Sequence, residues 1–66
     1  MKNTIKIERA IKGLTQEELA KKISVSRQTI NAMEANKYVP STVLSLKIAK
    51  VFDKKVEEIF MLEPDD

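Results

Sequence analysis

The chain has no cysteine and no histidine. Their absence removes disulfide cross-links, thiolate nucleophiles, the usual zinc ligands and the commonest general base together. No cofactor or metal is therefore expected. Glycine occurs once and proline twice in 66 residues, which leaves few points where a helix must break. No apolar run approaches the roughly 20 residues of a membrane span, and the first residues lack the apolar stretch of a secretory signal. The expectation is a cytoplasmic protein with no membrane partner. Sixty-six residues are read as one domain over 1–66, near the lower size at which a hydrophobic core holds a fold unaided.

What is present is charge, unevenly placed. Residues 1–55 contain all 12 Lys and Arg against five acids, a net +7, whereas residues 56–66 contain five acids and no base, a net −5. A basic body with an acidic tail (63–66) suits a polyanion partner. A solvated, Lys-rich surface would give the same totals.

The single glycine, Gly13, stands where a first helix over about residues 5–12 would end in a left-handed residue. "TIKIER" at the start of that segment alternates apolar and polar residues and reads equally as the beginning of a strand. "LTQEELAKKI" is the clearest helix: Thr15 caps it, Glu18 completes a capping box, and Glu17 and Glu18 favour the positive end of the helix dipole. Leu14, Leu19, Ala20 and Ile23 form its apolar stripe. After "SVS", Ser26 caps a third helix from Arg27 to about Ala35 with Ile30 and Met33 inward. "NKYVPST" reads as a loop. A fourth helix runs from Ser41 or Thr42 to about Phe52 and is expected to bury Val43, Leu44, Leu46, Ile48, Ala49, Val51 and Phe52 in varying degree. "KVEEIF" supplies a short fifth helix, and Pro64 ends regular structure.

Two helices joined by a three-residue turn, the second short and polar at its start, fit the helix-turn-helix design over about residues 15–35. The polar tip has a chemical use. A helix entering the DNA major groove meets base edges with its N-terminal residues. Arg27 matches the O6 and N7 acceptors of guanine, Gln28 matches N7 and N6 of adenine, and Thr29 and Asn31 lie toward the groove. Gln16 and Ser26 at helix starts, with Lys37 and Tyr38 beyond the third helix, suit the sugar-phosphate backbone. Ser26 and Thr15 taken singly are equally explained as ordinary caps. The adjacent acids Glu17/Glu18, Glu57/Glu58 and Asp65/Asp66 lie at helix starts or near a terminus, outside any evident pocket, so an enzyme is not expected.

The string "GLTQEELAKKISVSRQTINAMEANKYVPS", followed by "LSLKIA" and "VEEIF", resembles the Cro/cI-type (XRE) helix-turn-helix regulators over about residues 3–62, in particular their small stand-alone prokaryotic members. The resemblance implies an all-α, five-helix lambda repressor-like bundle, with "TIKIER" and "IFMLE" as candidates for a short antiparallel pairing of the terminal segments. It also implies an ion pair between Arg9 and Glu34, and a homodimer using the region after the fourth helix. Phe52, Val56, Phe60, Met61 and Leu62 are the seam candidates. Ser24, Asn36 and Asp53 stand where the family usually has glycine. The function implied is sequence-specific binding of double-stranded DNA, a nucleoid-associated repressor on a (pseudo)palindromic operator, with no small-molecule effector site evident. The alternative is an antitoxin-like protein-interaction module, whose acidic tail and terminal apolar residues engage a protein.

Overall fold

Four helix ends in this small chain close in the same way. In a computed structural model describing all 66 residues, positive φ occurs at Gly13 (68°), Ser24 (60°), Asn36 (61°) and Asp53 (54°). Each of these residues donates its N–H three residues back, to Ala10, Lys21, Met33 and Lys50, and each following residue donates five back, to Arg9, Ala20, Ala32 and Ala49. This paired closure satisfies carbonyls that a helix end otherwise leaves free. One sterically demanding solution is thus used four times, and glycine eases it only once.

The elements so bounded are β1 (Lys2–Asn3), α1 (Ile5–Ile11), α2 (Gln16–Lys22), α3 (Arg27–Glu34), α4 (Thr42–Phe52), α5 (Val56–Ile59) and β2 (Phe60–Met61). Starts are capped as locally as ends. Thr15 Oγ1 accepts from Glu18 N–H at 3.0 Å while Glu18 Oε1 accepts from Thr15 N–H at 2.8 Å. Ser26 and Ser41 cap α3 and α4 through their hydroxyls at 3.2 Å.

β1 and β2 pair antiparallel, with Lys2 opposite Met61 and Asn3 opposite Phe60, and Thr4 N–H donates to Ile59 O at 2.9 Å. The strand lies just before "TIKIER", because Ile5 is fully buried as the first residue of α1 and the alternation after it is helical. No helix is long and apolar enough to cross a membrane.

The core joins Ile5, Leu19, Ile23, Ile30, Met33, Leu44, Ile48, Phe52, Ile59 and Phe60 from all five helices and β2. Two expectations are corrected here. Val43 and Leu46 are 64% and 57% exposed, since α4 turns the i, i+4, i+8 row of Leu44, Ile48 and Phe52 inward and leaves these two on its flank. Phe52 and Phe60, expected at a dimer seam, are 2% and 8% exposed: a chain of this size needs its only two phenylalanines for its own core.

Charged ties finish the packing. Glu8 is buried on α1 and accepts from Lys54 Nζ at 2.7 Å, a contact that raises the Lys54 pKa. The Met1 ammonium lies 3.1 Å from Glu63 and 3.0 Å from Asp66, folding the acidic tail back toward β1.

Candidate nucleic-acid interface

Left-handed Ser24 reverses the chain after α2, half-buried Val25 follows, and Ser26 opens α3. Arg27 and Gln28 in the first turn of α3 are exposed, with no side-chain partner inside the protein. Asn31 is exposed one helical turn beyond Arg27, and Ile30 and Met33 are fully buried on the opposite side. Thr29 is half-buried; its hydroxyl is 2.9 Å from Ser26 Oγ. The Ser26 hydroxyl thus serves first as the cap of α3.

The electrostatics of this tip break a local rule. The first turn of α3 holds no acid and carries Arg27, whereas α2 and α5 begin with Glu17, Glu18 and Glu57, Glu58. A cation at the positive end of a helix typically costs about 0.3–1 kcal/mol. An anion supplied from outside would offset that cost, and rule-breaking of this kind concentrates at functional sites. α4, which follows the loop bearing the exposed Lys37 and Tyr38, also starts without an acid.

Beneath the tip lies a network the sequence shows only in part. Arg9 Nε and Nη2 donate to Glu34 Oε2 and Oε1 at 2.8 and 3.2 Å, and Arg9 Nη1 donates to Leu14 O at 2.9 Å. The Glu34 side chain is only 6% exposed. Hydrogen bonding to Glu34 raises the Arg9 pKa further above its already high ordinary value, keeping the guanidinium charged. Glu34 also accepts from Gln16 Nε2 at 3.1 Å, and Asn31 Oδ1 stands 3.5 Å from the same nitrogen. The ion pair therefore holds the ends of three helices and, through Gln16, fixes the start of α2 against the exposed side of α3. The pair was legible from the family resemblance; its hold on Gln16 had no sequence signal, because it depends on how α2 crosses α3.

A family model described as helix-turn-helix matches residues 5–59. The chain belongs to the Cro/cI-type (XRE) helix-turn-helix family. Members are DNA-binding transcriptional regulators, a non-enzymatic family. The chain is similar to proteins named uncharacterized HTH-type transcriptional regulators in archaea and bacteria. One from Methanocaldococcus jannaschii is 58% identical over 66 residues, covering 100% of both chains. One from Bacillus subtilis is 47% identical over 66 residues, again covering 100% of both. One from Archaeoglobus fulgidus is 46% identical, covering 100% of this chain and 94% of that protein. Within this helix-turn-helix the exposed polar residues Arg27, Gln28, Asn31, Lys37 and Tyr38 come from α3 and the following loop, and Gln16 at the start of α2 is half-buried beside Glu34. The large apolar residues left outside the core are Ile7 and Ile11 on α1, Val39 in the loop before α4, Val43 and Leu46 on α4, and Met61 and Leu62 at the end of the chain.

Proposed function

We propose that the protein is a repressor that binds a (pseudo)palindromic operator as a homodimer, with α3 in the major groove. Arg27, Gln28, Thr29 and Asn31 meet base edges; Gln16, Ser26, Lys37 and Tyr38 meet the backbone. The observation that carries this reading is the acid-free first turn of α3, with Arg27 and Gln28 exposed and unpartnered. Forked donors and acceptors of that type discriminate guanine and adenine by about 1–3 kcal/mol per contact.

Size supports pairing. An eight-residue α3 is about 12 Å long, enough for one stretch of groove and a few base pairs. Two copies related by a two-fold axis would read half-sites roughly 34 Å apart. The surface that suits such a seam includes Met61 and Leu62 with half-buried Val56, continued by Val39 and Leu46 around a cleft of about 210 Å³. Buried Phe60 lines the same cleft. Repression follows by occupancy in a cytoplasmic, DNA-associated protein.

Selection of binding sites from a random duplex library tests the reading. The expected product is one inverted repeat with half-site centres about one helical turn apart, bound with a steep salt dependence. Arg27→Ala should lose about 1–3 kcal/mol and relax preference at one position of each half-site. No enriched sequence, or an Arg27→Ala protein with unchanged affinity and preference, refutes it. An absent sequence preference with a stably co-purifying protein would instead favour the interaction-module alternative.

A further inference from the structure

Asn3 is an unremarkable residue in the sequence, and in the structure it joins two regions that the chain separates by 30 residues. Its backbone stands opposite Phe60 in the terminal sheet. Its side chain leaves that sheet and reaches the end of α3: Nδ2 donates to Met33 O at 2.8 Å and to Asn36 Oδ1 at 3.0 Å. Oδ1 accepts from Ile5 N–H at 3.1 Å, taking the capping role at the start of α1 that Thr4 does not fill. Only one orientation of the amide satisfies all three contacts, since two partners are acceptors and one is a donor. The Met33 carbonyl also accepts from Asn36 N–H at 3.0 Å, and Asn36 is the left-handed residue that closes α3, so Asn3 adds a second bond at this closure. The terminal sheet therefore grips α3 at its C-terminal end, while Arg27 and Gln28 are at the other.

We infer that Asn3 is a positioning residue for base reading, linking the sheet that leads into Met61 and Leu62 to the tilt of α3, although it touches no base. This inference rests on the DNA-binding reading above. The leverage is geometric. Arg27 lies nine residues from Asn36, or about 13 Å at 1.5 Å per residue. A tilt of about 5° at the gripped end moves the tip by about 1 Å, enough to spoil a paired hydrogen bond to a base edge while leaving looser phosphate contacts in place. Loss of Asn3 should accordingly lower discrimination more than general DNA affinity. A seam formed by the end of the chain would, through the same residue, be mechanically connected to the reading head.

Two substitutions separate this role from support of the fold. Asn3→Asp keeps the acceptor for Ile5 N–H but turns a carboxylate oxygen toward two acceptors. Asn36→Gly removes only the Oδ1 partner and supplies the residue best suited to positive φ, so the fold is retained. Both proteins and the wild type are compared on a duplex selected by the wild type and on a scrambled duplex, with amide hydrogen exchange of residues 31–37 measured without DNA. The expected result is faster exchange at the end of α3 in both variants. The ratio of selected to scrambled affinity should fall about tenfold in Asn3→Asp and about threefold in Asn36→Gly, with scrambled affinity changed less than about twofold. Unchanged exchange at residues 31–37, an unchanged ratio, or equal losses on both duplexes overturns the inference. If the wild type selects no sequence, the DNA-binding reading fails at that step and takes this inference with it, an outcome distinct from a variant that leaves a real preference intact.

Discussion

Ser24→Gly should make this protein more stable, and the structure sets the size of the gain. Ser24 is exposed at φ 60°, its hydroxyl makes no hydrogen bond within the protein, and its N–H bond to Lys21 O is long at 3.4 Å. A side chain with a Cβ in the left-handed region costs about 1–2 kcal/mol, and no local hydrogen bond of the Asn or Asp kind offsets it. Glycine removes that strain but adds about 0.5–1 kcal/mol of unfolded-state entropy. The balance is a gain of about 0.5–1 kcal/mol, or about 2–8 °C in Tm for a domain of this length. Urea titration should show a higher midpoint with an unchanged m-value, because neither the fold nor the surface exposed on unfolding changes. Gly13→Ala is the mirror test. An added Cβ there would meet nothing within 4 Å at φ +68°, so its loss of about 1 kcal/mol comes from the backbone alone. If Ser24→Gly lowers the midpoint, or Gly13→Ala leaves it unmoved, left-handed strain does not govern these helix ends.

Arg9→Ala leaves the nearly buried Glu34 carboxylate with Gln16 as its remaining side-chain partner. It should cost about 3 kcal/mol in calorimetry, and a loss under about 1 kcal/mol would show that the pair carries little stability. Thr15 N–H donating to Glu18 holds that carboxyl below the usual range. Because the native pKa is depressed, this contribution is present above the unfolded-state value near 4.3 and is lost as pH falls through the native one. The stability difference between wild type and Glu18→Gln should therefore shrink on acidification below about pH 4.3, and a gap constant down to pH 2 would contradict this. Leu46→Glu places a charge on the exposed flank of α4 and should shift sedimentation toward monomer while the far-ultraviolet spectrum is kept. An unchanged mass distribution would remove this flank from the proposed seam.

Much of the fold was readable because its signals are local. The capping box at Thr15 and Glu18, the cap at Ser26, the stop at Gly13 and the loop before Pro40 each depend on residues within one turn of one another. They determine where helices begin and end whatever surrounds them. The polar tip was legible for the same reason: the period that turns Ile30 and Met33 inward leaves Arg27 and Gln28 outside. Periodicity failed on α4 and after α5. An apolar residue on a short helix can face the core, a partner or solvent, and composition does not separate Phe52 from Leu46.

The sequence alone thus determined the second to fifth helices, their polarity and the polar character of the tip of α3, since backbone capping and side-chain period act over a few residues. Only the tertiary structure decided which apolar residues are consumed by the core, that Glu34 holds Gln16 as well as Arg9, and that Asn3 grips the far end of α3. Those polar contacts join residues 18 to 33 positions apart, and their existence depends on how the helices cross, which no local pattern encodes.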